Sequence, residues 1–295
     1  MTTYDLPASI IADLQAGCTR RRSHNRAVRF KLALSPAARY GVGMKRSILL
    51  GALLCAGGMA MPASCRADDG ASPDDAMASR RQAMVAHQIE ARGVRDKAVL
   101  DAMREVPRHR LVPEDVRAYA YEDTPLPIGW GQTISQPYIV ALMTEVAQVK
   151  PGHRVLEVGT GSGYQAAVLA QIGAQVWTIE IIEPLAERAR ADLQAIGYTN
   201  IHVRAGDGYV GWPEAAPFDA ILVTAGATHV PQPLVEQLKP GGRMVIPVGS
   251  TLHNQSLRLL IKQEDGTIEE RDLLPVRFVP LTGEHAERGG RVSGP

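Results

Sequence analysis

Arg154-Val155-Leu156-Glu157-Val158-Gly159-Thr160-Gly161-Ser162-Gly163-Tyr164 is the stretch on which the fold turns. A short apolar run with an acidic residue near its end leads into three alternate glycines, and Gln165-Ala166-Ala167-Val168-Leu169-Ala170 continues with helix-forming residues. The order is strand, tight loop, helix. Glycine adopts positive φ readily and lets a ligand approach the backbone, while the first amides of the helix are free donors at the positive end of its dipole. A nucleotide-like ligand is the expected guest. A plain tight turn would use the same glycines, but it leaves the acidic strand end without a purpose.

Spacing narrows the guest. A dinucleotide fingerprint places its third glycine three residues after the second, where this chain has Tyr164. Glu157 stands at the carboxyl end of its strand, where a carboxylate suits a cation better than a pyrophosphate, and S-adenosylmethionine carries both an ammonium and a sulfonium. A second apolar run, Ala174 to Ile179, ends at Glu180, which lies 180 − 163 = 17 residues past the last glycine. An acidic side chain at such a strand end takes ribose hydroxyls. A third strand, Ile201-His202-Val203-Arg204, ends at Gly206-Asp207-Gly208. Asp207 is a candidate acceptor for the adenine amino group, although a turn role is common for aspartate.

Charge is distributed unevenly along the 295 residues. Residues 1–66 hold ten Lys/Arg and two Asp/Glu, leaving 22 basic and 29 acidic residues of the chain's 32 and 31 in residues 67–295. An acidic body argues against a nucleic-acid substrate. All three cysteines, Cys18, Cys55 and Cys65, precede that body, so it has neither an internal disulfide nor a thiol nucleophile. The eight histidines are scattered singly, and no metal site is expected. Met44-Lys45-Arg46, the apolar run Ser47 to Met61 and Pro62-Ala63-Ser64-Cys65-Arg66-Ala67 have the form of a secretory signal, too short for a membrane span. The expected organisation is an extension at 1–43, the signal-like segment at 44–67, a linker at 68–79, one catalytic domain at 80–283 and a tail at 284–295.

Along the body, Ser72 and Pro73 start a helix that Gly93 stops near Ala91, and Asp96 caps a second helix that ends at Val106. Pro125 to Pro137 reads as a glycine- and proline-rich loop that shapes a pocket, with Ser135 as the cap of a helix from Gln136 to about Val149. Beyond the glycine loop, strands and helices alternate as in an open α/β sheet. A helix runs from Glu183 to Ile196, a strand from Phe218 to Thr224, and a helix from Pro231 to Leu238. Lys239-Pro240-Gly241-Gly242 turns into the strand Arg243 to Val248, and two β runs follow at Gln255–Lys262 and Arg271–Val279.

These residues resemble the protein-L-isoaspartate (D-aspartate) O-methyltransferase family from about Arg80 to Thr282. The glycine loop and Lys239-Pro240-Gly241-Gly242 are shared with many methyltransferases, whereas Gly131-Gln132-Thr133-Ile134-Ser135-Gln136-Pro137 and Val276-Arg277-Phe278-Val279-Pro280-Leu281-Thr282 resemble this family in particular. The resemblance implies a Rossmann-like α/β fold with a doubly wound, mostly parallel seven-stranded sheet and extra N-terminal helices. It implies S-adenosyl-L-methionine as methyl donor, damaged proteins carrying isoaspartate as substrates, and no metal, nucleic acid or stable membrane association. Ser135 is implied at the reacting carboxylate with Thr133 beside it, and Glu157, Gly159, Gly161, Gly163, Glu180, Asp207, Gly208 and Thr282 around the cofactor. A cytoplasmic monomer is expected, with export through Met44–Ala67 as the alternative location. A small-molecule methyltransferase would not require the open Gly129–Pro137 segment, and an NAD oxidoreductase or nucleotide-binding protein is disfavoured by Tyr164.

Overall fold

The computed structural model describes residues 73–250 and 254–284. The expected extension, signal-like segment, Ser72 cap and residues 285–295 of the tail lie outside the described residues. Strand β3 (Arg154–Val158) occupies the middle of the sheet once the rest is assembled. To follow the chain, an N-terminal layer consists of α1 (Pro73–Met84), which runs on through a π turn and a 3-10 turn to Gly93 at φ 99°, and α2 (Lys97–Glu105). Asp96 caps α2 as expected, its carboxylate accepting from the amides of Ala98 at 2.8 Å and Val99 at 3.2 Å.

The Pro125–Pro137 segment folds into a two-stranded antiparallel hairpin, β1 (Leu126–Gly129) and β2 (Gln132–Ile134), rather than a loop. Gly129, Trp130 and Gly131 all take positive φ at its tip, which reverses the chain within two residues. Helix α3 (Pro137–Val146) follows. Ser135 is not its cap. Proline at the first helical position drives the preceding residue out of the helical region, so Gln136, at φ −52° and ψ 134°, is the boundary and Ser135 stays in the extended lead-in. The helix also ends before Val149, because Gln148 takes φ 52°.

The remaining elements are α4 (Tyr164–Gln171), β4 (Gln175–Glu180), α5 (Glu183–Ile196), β5 (Ile201–Ala205), β6 (Phe218–Val223), α6 (Gln232–Gln237), β7 (Leu238–Ser250), β8 (Asn254–Lys262) and β9 (Ile268–Val276). They form a seven-stranded sheet in the order β5-β4-β3-β6-β7-β8-β9. The first five run parallel, and β8 and β9 each pair antiparallel with the strand before them. The chain winds outward from β3 towards β5, then returns to the other side of β3 to lay down β6 and β7. The carboxyl ends of β3 and β6 therefore flank the switch point at which open α/β sheets bind ligands.

Lys239-Pro240-Gly241-Gly242 does not precede its strand but lies inside β7, as an irregularity between the pairs Phe218↔Leu238 and Ala220↔Arg243. β9 begins at Ile268 and ends at Val276, leaving residues 277–282 to run back over the sheet. Alternation along β3 splits the core into two layers. Val155 faces one apolar cluster with α3, α4 and the N-terminal helices, while Leu156 and Val158 face the other with Leu234 of α6. Glu157 shares the Val155 face and is wholly buried.

Candidate active site

At the carboxyl end of β3, Gly159, Gly161 and Gly163 have φ of 100°, 53° and 83°, a conformation that L side chains rarely adopt. Gly159 has a second reason to be glycine, since a Cβ there would lie 2.6 Å from Thr224 Oγ1. That hydroxyl donates to Gly159 O at 2.6 Å and ties the loop to the end of β6. Gly163 serves differently from its neighbours. It begins α4, packs against Leu193 of α5, and is not on the wall of the cavity.

The cavity occupies about 750 Å³, counted out to its solvent mouth, and Thr133, Ser135, Glu157, Gly159, Gly161, Glu180, Gly208 and Thr282 all line it. Eight of the ten expected site residues thus converge on one space. Asp207 is the other exception. Its carboxylate turns back to accept from the Tyr209 amide at 2.9 Å, capping the short turn Gly208–Val210, and Gly283 packs directly against it.

Two carboxylates have contrasting environments. Glu180 is buried, yet it accepts from the Gly161 amide at 2.8 Å and the Ile182 amide at 3.1 Å, so it fixes the glycine loop as well as facing the cavity. Among the described residues Glu157 has one partner. Its Oε2 accepts from Thr178 Oγ1 at 2.6 Å, and Oε1 has none among the described residues. Burial pushes its carboxyl up to about 8, against the Thr178 hydrogen bond that lowers it and with the nearby Glu180 charge raising it further. Behind Thr178, Thr160 Oγ1 lies 2.7 Å away and donates to it when Glu157 is ionised. A buried acceptor with an unused lone pair, on a residue that lines a cavity, fits a cationic ligand.

Ser135 and Thr133 lie on the hairpin side, where the Ser135 hydroxyl makes no hydrogen bond to another described residue. Thr282 reaches the opposite lip because the last described residues are strapped down. Gly226 N donates to Val279 O at 2.8 Å, Leu281 N donates to Gly226 O at 2.8 Å, and Gln255 accepts from Phe278 N at 2.6 Å. Tyr164 fills the place of a third dinucleotide glycine. Its ring is buried under the Arg108 guanidinium, 4.8 Å from centroid to Cζ, and joins the loop to the N-terminal layer. Sequence reasoning missed Thr160, Thr178, Thr224 and Gln165. The one signal for the first three is a hydroxyl residue within two positions of the end of a buried strand: Thr160 two beyond β3, Thr178 two before the end of β4, and Thr224 one beyond β6. Among the described residues no group of His, Cys, Asp or Glu is placed to hold a metal, and no helix is long and apolar enough to cross a membrane.

Residues 79–286 match the family described as Protein-L-isoaspartate(D-aspartate) O-methyltransferase (PCMT). The chain is 63% identical over 189 residues to protein-L-isoaspartate O-methyltransferase 2 of a Polaromonas species, covering 64% of this chain and 90% of that one. It is 55% identical over 241 residues to protein-L-isoaspartate O-methyltransferase 1 of Cupriavidus necator, covering 80% and 93%. The fold matches a Plasmodium falciparum protein-L-isoaspartate O-methyltransferase crystallised with S-adenosyl-L-homocysteine, at a TM-score of 0.61 and 28% identity over 68% of this chain and 98% of that one.

Proposed function

The chain belongs to the protein-L-isoaspartate (D-aspartate) O-methyltransferase family, and from that premise we propose that it methylates the free α-carboxylate of L-isoaspartyl and D-aspartyl residues in damaged proteins. S-adenosylmethionine supplies an electrophilic methyl group on a sulfonium, and S-adenosylhomocysteine is the product left behind. The observation that carries the reading is the unpartnered, fully buried Glu157 oxygen in the same cavity as the free Ser135 hydroxyl.

The accepting carboxylate needs no general base, since carboxyl groups of about pKa 3.3–4.3 are ionised at neutral pH. This accords with a site built without a histidine or a paired acid and base. Ser135 donates to the carboxylate and orients one oxygen, with Thr133 beside it on the hairpin. Glu157, Gly159, Gly161, Glu180, Gly208 and Thr282 hold the methyl donor. Gly163 sets the start of α4, and Asp207 shapes the Gly208 turn. Catalysis rests on alignment and on exclusion of water by the hairpin and the C-terminal strap.

Labelled methyl transfer to matched peptides containing isoaspartate or aspartate tests the reaction. Base-labile label on the isoaspartyl peptide alone is expected, and equal labelling of both refutes the substrate assignment. For location, cofactor supply favours the cytoplasm, with export through residues 44–67 as the alternative that cell fractionation decides. A monomer is expected in sedimentation.

A further inference from the structure

The cavity wall contains a second buried acceptor with no role in that scheme. Gln165 lies in the first turn of α4, is buried at 5% exposure, and reaches across to α3. Its orientation is fixed at Thr144. The hydroxyl of Thr144 donates its single hydrogen to Val140 O at 2.8 Å, so towards Gln165 it only accepts, and Gln165 Nε2 donates to it at 2.8 Å. The amide nitrogen is thereby held against α3. Gln165 Oε1 is left buried and without a partner among the described residues, the same condition as Glu157 Oε1, and both residues line one cavity.

Two buried acceptors without donors specify the class of group that satisfies them, since leaving either unmade is costly. A primary ammonium offers three hydrogens and a positive charge, whereas a hydroxyl offers one hydrogen. We propose that Gln165 Oε1 and Glu157 Oε1 together hold the α-ammonium of S-adenosylmethionine, which makes Gln165 a specificity residue for the amino-acid end of the methyl donor and Thr144 its positioning residue. A carboxamide as the second acceptor supplies the hydrogen bond without burying a second negative charge. This assignment rests on the methyl-donor reading of the site.

Calorimetric titration with two probes tests it: S-adenosylhomocysteine, which carries the ammonium, and 5′-methylthioadenosine, which lacks the amino-acid portion. In Gln165→Leu, affinity for S-adenosylhomocysteine falls about tenfold or more, the loss appropriate to a hydrogen bond to a charged group, while affinity for 5′-methylthioadenosine holds within about twofold. Equal losses for both probes, or unchanged S-adenosylhomocysteine binding, would overturn the assignment. Should Gln165→Leu fail to fold, Thr144→Val removes only the orienting hydroxyl and lowers the preference about threefold; an unchanged preference there also overturns it. Absence of S-adenosylhomocysteine binding by the unaltered protein refutes the methyl-donor reading itself, a result separate from any difference among variants.

Discussion

Glu157→Gln separates what the site demands from what the fold prefers. Burial raises the Glu157 carboxyl from 4.5 to about 8, so the folded protein without ligand prefers the protonated acid. A raised carboxyl contributes stability that is fully present below pH 4.5 and is lost as pH rises through about 8. At about 1.4 kcal/mol per pH unit, the loss is about 3 kcal/mol by pH 7 and levels near about 5 kcal/mol above pH 8. Glutamine has no proton to hold. The protonated acid and the amide share the same unpartnered position towards the cavity, so that cost cancels from the pH-dependent part. The variant should therefore overtake the parent in stability as pH rises, with the gap widening by about 3 kcal/mol between pH 5 and pH 8. Urea unfolding at several pH values, without ligand, measures it. In the same variant, binding of S-adenosylhomocysteine should weaken by about tenfold or more through loss of the carboxylate. Stability rising while affinity falls is the signature of a group kept for a cationic ligand. Parallel stability profiles for parent and variant would refute the argument.

The remaining expectations follow from the same geometry. Ser135→Ala should lower turnover on an isoaspartyl peptide by about tenfold or more with S-adenosylhomocysteine affinity unchanged; a matching loss of both would remove it from the substrate side. Glu180→Ala removes the acceptor for the Gly161 and Ile182 amides, so calorimetry should show weakened cofactor binding and thermal melting a loss of about 2–4 kcal/mol. Gly163→Ala must adopt φ 83° and place its Cβ 2.9 Å from Leu193, and urea unfolding should register about 2 kcal/mol or more. Cofactor binding at pH 7 should release close to one proton as Glu157 ionises, read from titrations in buffers of different ionisation enthalpy.

The sequence made the centre of this fold legible because several levels agree there. An apolar run, a charge at its end, alternate glycines and a helix leave little choice of structure between Arg154 and Gln171. The hairpin was hidden for the opposite reason. Its strands are four and three residues long, and Pro127 and Gly129 in the first, with Gly131 at the turn, read as loop. Ser135 fits an N-cap by residue type, but the conformational demand of Pro137 moves the boundary one residue on. For Asp207 and Gly163, strand-end reasoning found the right edge of the sheet but not the direction each residue faces. Asp207 spends its carboxylate on the local turn, and Gly163 spends its missing side chain on Leu193. The polar partnerships of Gln165 with Thr144 and of Thr178 with Glu157 join residues 21 apart in sequence on different elements. No local pattern encodes such pairs, because they exist only after the helices and strands have met.

The strap at residues 278–282 comes late in the chain, after every strand of the sheet it holds. During synthesis β3, the glycine loop and both carboxylates emerge well before Gly226 and Gln255 acquire the backbone partners that Phe278, Val279 and Leu281 provide. The sheet is complete once β9 is available, but one wall of the cavity is missing until Thr282 has left the ribosome. A chain cut within the strap is therefore expected to keep its sheet while losing its grip on the ligand.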